Sequence, residues 1–420
     1  MEDIKKINLG DNINLTLIPG NKFKSNLVSI YIQRLLDKKE ATKNALLPTV
    51  VTSGCEKYPS VREISNKLDD LYGSSIGSDV SKRGERQVIS FKIISTNEKY
   101  LEENIFQNVI EFFNEIVNKP LVIDGGFKEE YLSIEKQNLK DRIQAKINDK
   151  GRYALERAFE EMCKEERFSI SEYGYEEEID SITAKDLYEH YKEIIRTSPI
   201  DIVVEGDFDE NEVKDIITKN FNFERGNIIE LPREEYKKEI EEVTVVEDKM
   251  DITQGKLVMG YRTNIDYKDK EKYYPLVVGS NILGGGPHSK MFINIREKES
   301  LCYYIYSSVE KYKGILFVSS GIEFQNYEKT VELVKKQLES LKSGEISEEE
   351  IENSKSALIN SMRSLKDSIG GMSDFYFSQS MSNTNNTVEE IIDNVAKVKV
   401  EDIVKAVESV TLDTVYFLRG

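Results

Sequence analysis

Histidine is nearly missing from this 420-residue chain: only His190 and His288 occur, about a hundred residues apart. A catalytic zinc ordinarily takes three protein ligands, with a histidine pair at helical spacing. Neither His-x-x-Glu-His nor His-Glu-x-x-His appears anywhere, which argues against a histidine-built zinc site here. Cysteine is almost as scarce. Cys55, Cys163 and Cys302 are an odd and scattered set, pointing away from a disulfide framework and toward a reducing compartment, the cytoplasm. No apolar run reaches the roughly 18 residues of a membrane span. The opening Met1-Glu-Asp-Ile-Lys-Lys has no apolar h-region, so no secretory leader is expected. Basic patches are also lacking. A formal net charge of −18 speaks against non-specific nucleic-acid binding. Such a surface could steer basic peptides, but it mostly serves solubility.

Length alone makes two domains the starting expectation. Alternation predicts strands over 12–18, 28–32, 88–94, 200–204, 256–261, 302–309 and 315–320. Helical spacing predicts helices over 44–52, 61–71, 101–117, 183–195 (Thr183 as cap), 275–283, 289–298 and 331–341. Residues 127–167 read as helical with a break near 148–151. Two segments then recur. The run 127–139 resembles 346–358, and Pro48-Thr-Val-Val51 resembles Pro275-Leu-Val-Val278, at offsets of 219 and 227 residues. An internal duplication follows: two similar α+β domains, each a mixed sheet covered by helices, over 1–228 and 246–420, joined by the charged linker 229–245.

The residues leave several chemistries open. His190, in Asp186-Leu-Tyr-Glu-His190, reads as a helix-surface residue, and His288 lies in a glycine loop. Cys302 follows His288 by 14 residues, so a Cys–His nucleophile competes with the commoner small buried cysteine. Gly284, Gly285 and Gly286 lack the phosphate-loop spacing and read as a tight turn bringing backbone close to a ligand or a neighbouring segment. Glu129, Glu130 and Glu135 on one helix read as a solvated face. Arg296 and Tyr303 stand seven residues apart across a helix-to-strand reversal. On the strand, Leu301, Tyr303, Ile305 and Ser307 are expected on one side. Arg296 could serve a site, or simply pair with Glu297 or Glu299 while Tyr303 joins the core.

Three stretches resemble the pitrilysin/insulinase-type (M16) metallopeptidases. Asp251-Ile-Thr-Gln-Gly-Lys-Leu-Val-Met-Gly-Tyr261 is similar to the opening strand of their second domain. Ile282-Leu-Gly-Gly-Gly-Pro-His-Ser-Lys-Met-Phe292, followed by Arg296-Glu-Lys-Glu-Ser-Leu-Cys-Tyr303, is similar to their glycine loop, helix and Arg-Glu-Lys-x-Gly-Leu-x-Tyr signature. Val204-Glu-Gly-Asp207 resembles the strand end closing their first domain. The resemblance implies paired α+β domains and a zinc site in the first. Yet the His-x-x-Glu-His position, registered on Gly54, reads Ala45-Leu-Leu-Pro48-Thr49 here. Glu135 is the counterpart of the third ligand. Ser300 replaces the usual glycine.

The resemblance therefore implies a subunit without zinc or other cofactor. Arg296 and Tyr303 would hold a peptide or unfolded protein, with Gly284–Gly286 beside it, and a zinc-bearing M16 partner would complete the site. A guanidinium and a phenol can both donate to a peptide carbonyl that gains charge in the transition state. No nucleic acid or membrane partner is implied; a homodimer in isolation is possible. The alternatives are a non-enzymatic peptide-binding or scaffold protein, and an independent hydrolase using carboxylates or Cys302.

Overall fold

In a computed structural model that describes residues 4–420, apolar alternation builds two mixed sheets. The first contains β1 (Lys5–Gly10), β2 (Ile13–Pro19), β3 (Ser25–Leu35), β4 (Ser75–Arg83) and β5 (Arg86–Thr96). A two-residue hairpin, β6 (Val122–Ile123) with β7 (Gly126–Phe127), stands apart, and β8 (Ile200–Gly206) completes the sheet. Its order is β1-β2-β8-β3-β5-β4, parallel only where β2 meets β8. The second sheet contains β9 (Thr244–Lys249), β10 (Gly255–Arg262), β11 (Cys302–Glu310), β12 (Ile315–Ile322) and β13 (Thr411–Arg419). Its order, β9-β13-β10-β12-β11, repeats β2-β8-β3-β5-β4, with β9 and β13 as the parallel pair. The duplication is thus a duplication of topology.

Helices recur in step. Glu129–Ala145 and Glu348–Leu365 begin 219 residues apart, at the offset of the charged repeat. The proline match is different. Lys38–Thr52 and Lys270–Gly284 are both 15 residues long, but Pro48 is the eleventh residue of one and Pro275 the sixth of the other. Those prolines are not equivalent positions, because the path from strand to helix is longer in the second half.

Compactness does not follow the expected boundaries. Unit 1 comprises the chain through Gln144, Ile170–Pro232 and Lys366–Asn385; unit 2 comprises Ala145–Ser169, Arg233–Leu365 and Asn386–Gly420. Each unit takes one helix from the other half of the sequence. In unit 1, the helix Ile369–Met381 lies on the sheet with Phe377 stacked on Tyr31 at 4.0 Å between centroids. Ser373 lies 3.2 Å from the Tyr31 hydroxyl and 3.1 Å from that of Ser29. In unit 2, the helix Lys150–Met162 sets Ala154 and Ala158 on Val258, Tyr416 and Leu418. The opposite sheet faces carry the large cores, built on Phe91, Phe113 and Ile202 in unit 1 and on Met259, Val318 and Phe417 in unit 2. The charged connection changes unit between Pro232 and Arg233, and Thr244–Val245, placed in the linker by sequence, already belong to β9.

Candidate functional site

The zinc-motif positions lie in unit 1. An Asp37 cap, accepting from the Lys39 amide at 2.9 Å, starts the helix Lys38–Thr52 earlier than apolar spacing indicated. Ala45 and Pro48 are buried, and neither side chain offers a donor atom. Thr49 Oγ1 donates to the Leu46 carbonyl at 3.2 Å. Glu135, on the helix Glu129–Ala145, accepts from Asn138 at 3.2 Å. These residues do not fit a catalytic zinc. Among the described residues, no group of three or more His, Cys, Asp or Glu is arranged to hold a metal ion.

His190 is not the helix-surface residue expected. Its Nε2 lies 2.8 Å from Asn44 Oδ1. Asn44 Nδ2 donates to Gln87 Oε1 at 2.8 Å, and Gln87 Nε2 donates to the carbonyls of Ala41 and Glu172. This chain of donors leaves Asn44 Oδ1 as acceptor, so His190 carries its proton on Nε2. Burial pushes the imidazole down to about 4, keeping it neutral.

Arg296 and Tyr303 lie in unit 2. The expected helix over 289–298 is a π-helical stretch, Phe292–Glu297, in which the Lys298 amide donates to the Ile293 carbonyl at 3.1 Å. That widened turn sets the Arg296 guanidinium 4.5 Å from the centre of the Phe292 ring. Ser300 then takes φ +53°, the left-handed conformation that favours glycine. The reversal returns the chain as β11, where Arg296 Nε donates to the Tyr303 carbonyl at 3.0 Å. Arg296 Nη1 also pairs with Glu297 at 2.7 Å, the local ion pair considered from sequence.

Tyr303 is not core. The register between β11 and β12 shifts between Cys302 and Tyr304, so Tyr303 is a bulge residue. It is 60% exposed while Ile305 is 6% exposed, and the expected common side for Leu301, Tyr303, Ile305 and Ser307 is broken there. The phenol donates to Glu323 Oε1 at 3.1 Å, and that bond holds it above its ordinary pKa. Phe292, Glu323 and the left-handed Ser300 were not legible as site residues; only the serine at a glycine position hinted at the last. Because β11 is the edge of its sheet, one side of its backbone is unpaired by any strand among the described residues.

The three glycines play different parts. Gly284 is buried, and a Cβ there would fall on the Met291 methyl and 2.5 Å from the Ser307 amide nitrogen. Its backbone is therefore spent on a neighbouring segment. Gly285 is exposed, and a Cβ on Gly286 would meet only His288, at 3.4 Å. His288 Nε2 lies 3.0 Å from Asn281 Oδ1. Cys302 is buried, and burial raises its thiol pKa, the opposite of what a nucleophile needs. Among the described residues, no helix is long and apolar enough to cross a membrane.

Known proteins share the fold of this chain. Residues 181–358 match the family described as the peptidase M16 inactive domain. The chain is 38% identical to "Probable inactive metalloprotease YmfF" of Bacillus subtilis (strain 168) over 408 residues, 96% of this chain and 95% of that protein. A conserved protein from Enterococcus faecalis V583 superposes with a TM-score of 0.91 at 29% identity, covering 100% of this chain and 99% of that one. A peptidase M16 inactive domain from Pseudomonas fluorescens shares the fold, with a TM-score of 0.81 at 16% identity over 99% and 98% of the two chains. This chain belongs to the M16 peptidase family, as a homologue of a protein named a probable inactive metalloprotease.

Proposed function

We propose that this chain is the zinc-less, substrate-binding subunit of a two-chain M16 peptidase in the cytoplasm. A partner carrying an intact His-x-x-Glu-His motif supplies the zinc and the general base. This chain supplies Arg296 and Tyr303 to the same peptide. The observation that carries the reading is the direct bond from Arg296 Nε to the Tyr303 carbonyl, 3.0 Å, beside an exposed phenol on an edge strand. One hydrogen bond thereby ties the two candidate donors to a common frame. A peptide laid along β11 can use the unpaired strand edge, with the guanidinium and phenol as polar anchors. Positions 45, 48 and 49, meanwhile, offer no metal chemistry of their own.

A second reading, a non-enzymatic peptide-binding or scaffold protein, is favoured by one observation. Arg296 and Tyr303 already have acidic partners, Glu297 and Glu323. Co-expression with a zinc-bearing M16 protein from the same genome, followed by a peptide-cleavage assay, decides between them. The proposal expects the wild-type chain to stimulate cleavage and Arg296→Ala with Tyr303→Phe to abolish the stimulation. Equal stimulation by both chains would remove the pair from the mechanism. Binding of the partner and of peptide without any cleavage would favour the scaffold.

A further inference from the structure

A cavity of about 820 Å³ opens on unit 2 between the start of the helix Lys150–Met162 and strands β10, β11 and β12. Lys150, Arg152, Lys256, Tyr304, Tyr306 and Ser319 line it. Its charge runs against the rest of the chain, whose net charge is −18. Among the described residues Asp149 is the one acidic side chain in the lining, and its carboxylate accepts from the Arg152 amide at 3.0 Å, capping the helix. Arg152 is shared with Glu156, 2.9 Å away. Lys256 is different. It is half-buried on β10, its hydrogen bond goes to the neutral side chain of Gln254, and its ammonium lies 5.4 Å from the centre of the Tyr304 ring. Burial lowers its pKa while Asp149 opposes that shift, so the cation is partly desolvated without a carboxylate bound to it.

The walls are fitted to one another. A Cβ on Gly321 would stand 2.6 Å from the Tyr304 ring, and one on Gly151 would stand 3.2 Å from its hydroxyl. Glycine at both positions gives the ring its place against the sheet, with Lys256 at its face. The volume suits several side-chain groups rather than a lone ion. Tyr303, Tyr304 and Tyr306 share β11, so a peptide running along that edge reaches both the Arg296–Tyr303 pair and this cavity.

We propose that the cavity is a subsite for the carboxylate of an acidic peptide, bound by Lys256 and Lys150, with Tyr304 and Tyr306 against its methylenes. The assignment rests on the reading of β11 as a peptide-binding edge, and it names the substrate class as one bearing Asp or Glu. An ammonium with no bound counter-ion, already part-way out of water, gains a charge-assisted hydrogen bond from such a ligand.

Calorimetric titration of the full chain with a glutamate-containing extended peptide and its glutamine twin tests this. The glutamate peptide should bind roughly tenfold more tightly, and added salt should shrink the difference. Lys256→Met should remove the preference and Lys256→Arg should restore most of it, a rescue that lost folding would not give. Equal affinity for the two peptides, no binding of either, or an undiminished preference in Lys256→Met would each overturn the subsite. So would tight binding of inorganic phosphate without any preference between the peptides, which would mark a phosphate site. The two proposals fail separately. If Lys256→Met loses the preference while the Arg296/Tyr303 double variant still stimulates the partner, the subsite stands and the pair does not. The reverse pattern leaves the pair standing and removes the subsite.

Discussion

Arg262 and Glu166 stand 96 residues apart in the chain and 2.6 Å apart in the fold. Asp413 takes the Arg262 Nε at 2.9 Å, and Lys313 Nζ meets the other Glu166 oxygen at 2.6 Å. The Arg262 and Lys313 side chains are 1% and 0% exposed. Burial works to raise the Glu166 pKa, but hydrogen bonds from Arg262 and Lys313 outweigh it and hold the carboxyl below its ordinary value. Removing Arg262 takes the buried Asp413 carboxylate's cation away and leaves Glu166 to Lys313 and Lys238. Arg262→Met should cost about 3–5 kcal/mol in urea unfolding. A loss under about 1 kcal/mol would mean the cluster is solvated rather than buried. Because the Glu166 pKa is depressed on folding, its contribution is present above the unfolded carboxyl pKa and fades as pH falls through the folded one.

His190 makes a pH prediction of the same kind. Its folded pKa is about 4 against 6.5 for a free imidazole. Between those values the unfolded chain binds a proton that the folded chain refuses, so stability falls as pH drops below 6.5. From pH 6.5 to 5 the loss should be roughly 2 kcal/mol. His190→Gln keeps a donor for Asn44 and cannot titrate. Its stability should change less over that interval, and an unchanged pH slope would place His190 in contact with water.

Ser300 supports the Arg296–Tyr303 geometry through its backbone. Ser300→Gly should be neutral or slightly stabilising, since glycine adopts φ +53° freely. Ser300→Val should destabilise by about 1–2 kcal/mol and weaken any effect that depends on the pair. Thermal denaturation of both variants is sufficient; equal melting temperatures would mean the turn relaxes to another conformation.

Of the three loop glycines, Gly284 and Gly285 are crowded, by Met291 with Ser307 and by Asn281, while Gly286 is permissive. Gly284→Ala should cost about 1–3 kcal/mol, because the added methyl meets Met291 and the Ser307 backbone. Gly286→Ala should cost little, with only His288 nearby. If unfolding ranks the two variants the other way, β11 does not pack as closely on the loop as described.

Much of the fold was readable because apolar spacing survives wherever one face is buried. The helix Ala184–Thr197 with its Thr183 cap and the strands β2, β8 and β12 lie where patterning put them. The strands of the two large sheets that it missed, β1, β4 and β9, are all edge strands, and their polar, half-exposed residues carry little alternation. The helix Ile369–Met381 also escaped. Gly370, Gly371 and several serines interrupt its sequence, and the apolar residues are not confined to one stripe. The site was half legible. Spacing and resemblance singled out Arg296 and Tyr303, but a bulge reversed which way Tyr303 points. The Asn44–His190 and Tyr303–Glu323 bonds join segments whose proximity no local pattern records.

The exchanged helices also set an order of events during synthesis. Ala158 leaves the ribosome roughly 260 residues before Tyr416, the residue it packs against. At translation rates on the order of 5–20 residues per second, the wait is about 13–50 s. For that interval the apolar face of Lys150–Met162 has no finished sheet to rest on. The nascent chain must keep that surface sheltered until its last strand appears, and a chain stopped short of β13 would carry the face uncovered. This fold is therefore sensitive to truncation at its C-terminus in a way that two domains strung in series would not be.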